Sequence, residues 1–151
     1  MNAISNFLIT LFESFGLYSD SNGLGDHLRG LDIKCSDYIN QNNYNIVFIC
    51  LFLINTTIMV NYYYGIHNRP KFTKLLPWIL HSLSGAIILF LIAFLCSNND
   101  ISTGNFCKDL NIKTSDCFGF ASVAAIYSLI WNFIISLLLK LKSSNNKKVP
   151  F

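Results

Sequence analysis

Charge is scarce in this chain. Of 151 residues only 13% are Asp, Glu, Lys or Arg, where a soluble domain carries about a quarter. A small domain has too much surface for its volume to cover itself with so few charges. A soluble enzyme domain, a disordered chain and a nucleic-acid-binding module are therefore excluded. Proline is rare too, with three residues. The one that falls in an apolar segment, Pro77, sits in the first turn of the expected helix, where proline is tolerated. The chain has no C-x-x-C pair, no G-x-S-x-G, no H-E-x-x-H and no nucleotide-binding glycine loop. No catalytic constellation remains, so the chain is expected not to be an enzyme, and no cofactor or metal is expected.

What the chain does have is apolar length. Hydrophobic residues make up 52% and aromatics 15%. A helix needs about 20 mostly apolar residues to cross a bilayer. Segments 44–65, 75–96 and 119–139 meet that requirement without a single Asp, Glu, Lys or Arg. Aromatic residues flank them as in an interfacial belt, with Tyr62, Tyr63, Tyr64 and Trp78 at one end and Phe118 and Phe120 at the other. The expected fold is all-α, a polytopic integral membrane helical bundle forming one domain. Residues 1–18 add an amphipathic helix, with Ile4, Phe7, Leu8, Leu11, Phe12, Phe15 and Tyr18 at helical spacing. That helix either lies in the membrane interface or crosses as a short fourth span. It has neither the basic start nor the cleavage site of a signal peptide. Residues 19–43 are rich in Gly, Asn, Ser and Asp and read as a loop.

Charge placement implies a topology. All eight acids fall in 1–43 or 97–118, while seven of the eleven basic residues fall elsewhere. These seven are Arg69, Lys71 and Lys74 in one short loop and Lys140, Lys142, Lys147 and Lys148 in the tail 140–151. Basic residues in short loops mark the cytoplasmic side. The 66–74 loop and the C-terminal tail are thus expected inside, and 19–43 and 97–118 outside. The seven cations would attract anionic lipid headgroups at about 1 kcal/mol each, or dock an acidic partner. A plasma membrane, with a bacterial inner membrane as the simplest home, is expected.

On this topology Cys35, Cys96, Cys107 and Cys117 lie on or near the oxidising face, and Cys50 lies inside a span. A Cys107–Cys117 bridge would staple the 97–118 loop, leaving Cys35 to pair with Cys96. Four cysteines allow three pairings, and spacing alone does not choose. Small bundles with outward cysteines resemble membrane thiol oxidoreductases of the DsbB and vitamin K epoxide reductase type. This chain departs from them in lacking the closely spaced pair whose thiols exchange without large motion.

Strong hydrogen-bonding side chains at membrane depth are candidate functional groups. Each span has one, at comparable depth: Asn55, His81 and Asn132. In the third span Ala121, Ala125, Ser128, Asn132 and Ser136 share one face, with Ile126, Ile130, Phe133 and Leu137 opposite. Such a layer either bonds helices together or lines a water-filled path gated by His81. Two functions follow. One is a non-enzymatic scaffold or accessory subunit of a membrane complex. The other is a homo-oligomeric pore, to which each copy contributes the layer; thiol oxidoreduction is a distant third. The expected partners are the lipid bilayer and either further copies of the chain or another membrane protein, with no nucleic acid.

Overall fold

The computed structural model describes residues 3–18, 23–30, 42–65, 74–107, 110–143 and 149. Among them the regular structure is entirely helical: α1 (Ala3–Glu13), α2 (Leu24–Arg29), α3 (Asn43–Tyr64), α4 (Leu75–Thr103) and α5 (Thr114–Leu139), followed by a 3-10 turn over Lys140–Lys142. Three helices, α3, α4 and α5, are long and apolar enough to cross a bilayer. At 1.5 Å per residue they extend about 33, 43 and 39 Å, against about 30 Å of hydrocarbon. By the same measure α1, with 11 residues, extends only about 16 Å. It is too short to be a fourth span.

The expected ends of the long helices need correction. Hydropathy marks where a chain stops being apolar, whereas a helix continues while its backbone bonds are satisfied. Segment 75–96 becomes a helix that runs on to Thr103, because Ser97 Oγ bonds Ala93 O at 2.8 Å and the Asp100 side chain finds two partners. Segment 119–139 begins earlier, at Thr114. There the Asp116 carboxylate accepts the Lys113 N–H at 2.9 Å, satisfying a donor that a helix start otherwise leaves unpaired. The expected loop 19–43 also contains a helix, α2, between Gly23 and Gly30, both left-handed. It buries Leu24, His27 and Leu28. Six residues are too few for periodicity to reveal, so the glycines on either side read only as turns.

The chain forms two compact units, and each long helix contributes residues to both. One comprises Met1–Phe48 and Phe90–Ala124, the other Ile49–Leu89 and Ala125–Phe151. The first unit is held by aromatic packing around Phe12, which is 2% exposed. Its ring lies 5.0 Å from that of Phe48, 6.1 Å from Phe120 and 6.3 Å from Tyr44. Tyr44 meets Phe120 edge-on at 5.5 Å, so residues of α1, α3 and α5 interlock. The second unit packs Met59, Tyr62 and Tyr63 against Trp78, Ile135 and Leu139. Its ends are tied by side chains: Ser143 Oγ donates to Tyr63 O at 3.1 Å, Tyr63 Oη donates to Val149 O and Tyr64 Oη to Leu139 O. Large apolar residues such as Leu53, Ile87, Leu95, Ile130 and Leu138 remain exposed. An apolar solvent would cover them at no loss.

Phe12 is the residue on which α1 depends. Replacing it with Ala should lower stability by about 3 kcal/mol, as expected for a fully buried aromatic. Thermal unfolding of the detergent-solubilised protein measures this. A loss below about 1 kcal/mol would show that α1 is held by something else.

Candidate functional site

Two of the three predicted polar residues meet. In the second unit Asn55 Oδ1 accepts hydrogen bonds from Ser128 Oγ at 2.6 Å and Asn132 Nδ2 at 3.0 Å. Asn55 Nδ2 donates to Leu51 O at 2.9 Å, one turn back along α3. Asn132 Nδ2 also reaches Ser82 O on α4 at 3.3 Å. Three helices thus converge on one amide. Asn55, Ser128 and Asn132 are all fully buried. The approach is close because α4 carries Gly85 there. A Cβ at that position would stand 2.3 Å from Asn55 Oδ1 and 3.2 Å from Asn132 Nδ2. Two buried atoms beside this centre, Ser82 Oγ and Asn132 Oδ1, have no hydrogen-bond partner among the described residues.

His81 does not join the pair. Its Nδ1 lies 2.7 Å from Pro77 O, within its own helix, and its ring packs 5.1 Å from the Tyr62 ring. The expected three-residue layer is therefore an Asn55–Asn132 centre with His81 held apart. Of the small, polar face of α5, Ala121, Ser128, Asn132 and Ser136 are at 0% exposure, while Ala125 is half-buried. Further bonds extend the seam. Trp131 Nε1 donates to Thr56 Oγ1 at 3.0 Å, and Trp78 Nε1 donates to Ser136 Oγ at 2.9 Å. Ser136 Oγ in turn lies 3.4 Å from Met59 Sδ.

The first unit holds a polar centre that sequence reasoning missed. Asp100 Oδ2 accepts from Asn43 Nδ2 at 2.9 Å and lies 3.2 Å from His27 Nε2. His27 is 1% exposed, Asn43 3% and Asp100 9%. Nearby in the same unit Arg29 pairs with Glu13, which also accepts from Tyr44 Oη at 3.2 Å. The Tyr44 hydroxyl shares a 2.6 Å hydrogen bond with that of Tyr18. Only the lone acid at the end of an apolar run, Asp100, hinted at this centre. Its partners lie 57 and 73 residues away in sequence.

The cysteine pairing needs correction. Cys117 is a thiol, not the partner of Cys107. It falls in the first turn of α5, fully buried and within hydrogen-bond reach of Ser97. Cys96 is a thiol as well, which removes the Cys35–Cys96 pairing. Cys35 itself lies outside the described residues, as do Arg69, Lys71, Lys147 and Lys148. Of the other basic candidates, Lys74 and Lys142 are exposed and Lys140 is half-buried. Among the described residues no three His, Cys, Asp or Glu side chains converge as metal ligands would.

The class these observations define is an all-helical protein with three potential membrane-spanning helices, bonded internally by buried amides. No protein-family model, curated protein or solved structure matches the chain.

Asn55→Leu should destabilise the protein by about 1–2 kcal/mol, since it leaves the Ser128 hydroxyl unanswered and the Asn132 amide with only its longer bond to Ser82 O. Combined with Asn132→Leu the loss should fall short of the sum of the single losses, because both remove the same bond. Strictly additive effects in a double-mutant cycle would show that the two amides are not coupled.

Proposed function

We propose that this chain is a small multi-pass membrane protein that serves as a non-enzymatic scaffold or accessory subunit. The observation that carries the reading is the closed Asn55–Ser128–Asn132 centre. Three of its hydrogen bonds run between helices of one chain, which is how membrane helices are glued. A shared conduit needs polar groups turned toward neighbouring copies instead. His81, the candidate gate, is bonded to its own helix and packed against the tilted Tyr62 ring, which suits an anchoring role better than a gating one. In the same reading the helices insert with the 66–74 loop and the tail in the cytoplasm, on the strength of the seven unopposed cations there.

The outward segments then meet an oxidising environment, in which a disulfide at the fully buried Cys107 is favoured over a free thiol.

Expressed alone and solubilised, the protein should appear in native mass spectrometry as a monomer or dimer. Reconstituted in liposomes it should leave ion flux at the lipid baseline. A discrete oligomer of four or more copies, with flux that changes in His81→Ala, would establish the pore instead.

Digestion without reduction should yield a linked peptide that contains Cys107, with Cys50, Cys96 and Cys117 alkylated after denaturation alone. Recovery of a Cys107–Cys117 link would refute the assignment.

A further inference from the structure

The first unit contains a cleft of about 510 Å³ along the C-terminal end of α4, within the size range of small-ligand sites. Asn43, Asn98, Asn99, Asp100, Ser102 and Asn105 supply its polar lining. Asp100 is its most constrained member. One carboxylate oxygen, Oδ2, is held by Asn43 and His27. The other, Oδ1, makes no hydrogen bond among the described residues, although Asp100 is only 9% exposed. A carboxylate fixed on one side and open on the other is set to accept hydrogen bonds from a ligand. Beside it the side-chain amides of Asn98 and Asn99 are likewise unbonded among the described residues, and each offers both donors and an acceptor.

The chemistry of the lining selects the ligand. It contains no Lys or Arg, so a phosphate or carboxylate ligand would meet the Asp100 charge with no cation to offset it. It contains no aromatic ring, so there is no cage for a quaternary ammonium group. Groups that donate and accept in equal measure suit hydroxyls. Ile46 and Leu95 form an apolar wall that suits the C–H face of a ring. We propose that this cleft binds a polyhydroxylated, sugar-type ligand, with Asp100 Oδ1 accepting from its hydroxyls and the Asn98 and Asn99 amides flanking it. The hydroxyls belong either to a free saccharide or to a glycolipid headgroup. Only the second source depends on the helices being inserted in a membrane.

The test uses the full chain in detergent, titrated with glucose, galactose, mannose, N-acetylglucosamine and myo-inositol and followed by saturation-transfer NMR. In parallel, the chain is tested for binding to phosphatidylcholine vesicles with and without galactosyldiacylglycerol. Asp100→Asn and the solvent-exposed Asn99→Ala are compared with the unaltered protein, with circular dichroism to confirm that each is folded. Saturable binding of a free sugar, weakened about tenfold or more by Asp100→Asn and about threefold or more by Asn99→Ala, is the expected result for one charged and one neutral hydrogen-bonding group. Binding to the glycolipid vesicles alone, with the same dependence on both residues, supports the lipid source. It remains distinguishable from failure of the membrane reading, which would leave the free-sugar result unchanged. No saturable binding to any probe, or binding indifferent to Asn99→Ala, overturns the proposal even if Asp100→Asn does not fold.

Discussion

An amide buried in an apolar helix bundle must take its hydrogen bonds from neighbouring helices, because nothing else within reach can supply them. The Asn55 oxygen meets that demand. It takes two bonds from α5, and the Asn55 nitrogen returns one to its own helix. The rest of the second unit follows from this arrangement. Gly85 is small because a methyl group would occupy the Asn55 oxygen, and the face of α5 that meets α3 is built of small or polar residues. Apolar side chains alone would pack in several registers at nearly equal energy. A bonded amide fixes one of them, as a buried polar residue does in a coiled coil.

The same rule, applied to charge, organises the first unit. Asp100 lies where a long apolar helix continues past its hydrophobic stretch, and burial there is tolerable only with donors beside it. Asn43 and His27 provide them. His27 is carried in by α2, a helix too short to be stable by itself. The Glu13–Arg29 pair and the Tyr44 hydroxyl hold α1 and α2 to the same unit. Phe12 then completes the aromatic packing. Polar pairing sets which elements meet, and aromatic burial supplies most of the energy that keeps them together.

These arrangements bear on function in opposite ways. In the second unit the polar groups are largely consumed by bonds within the chain, which favours a structural role for the bundle. In the first unit one carboxylate oxygen and two amides beside a cleft make no hydrogen bond among the described residues. A chain without catalytic motifs can still recognise a ligand, and an accessory subunit of a membrane assembly is one kind of protein that does.

The sequence by itself determined the helical class, the three long apolar helices and the buried small-polar face of α5. Each of these is periodic or compositional and repeats over many residues. It also singled out Asn55 and Asn132, because an amide in an apolar run stands out whatever it touches. Where helices end was less legible, since capping by Asp116 and side-chain bonds at Ser97 depend on local geometry that hydropathy averages away. What only the tertiary structure decided was partnership. That Asn132 meets Asn55, that Cys117 is a thiol beside Ser97, and that His27 reaches Asp100 are contacts between residues distant in sequence, and His81 is left to bond Pro77 one turn away. No one-dimensional pattern encodes such contacts. They exist because packing several helices together lets only certain side chains reach one another, and buried polar atoms then accept the partners that packing provides.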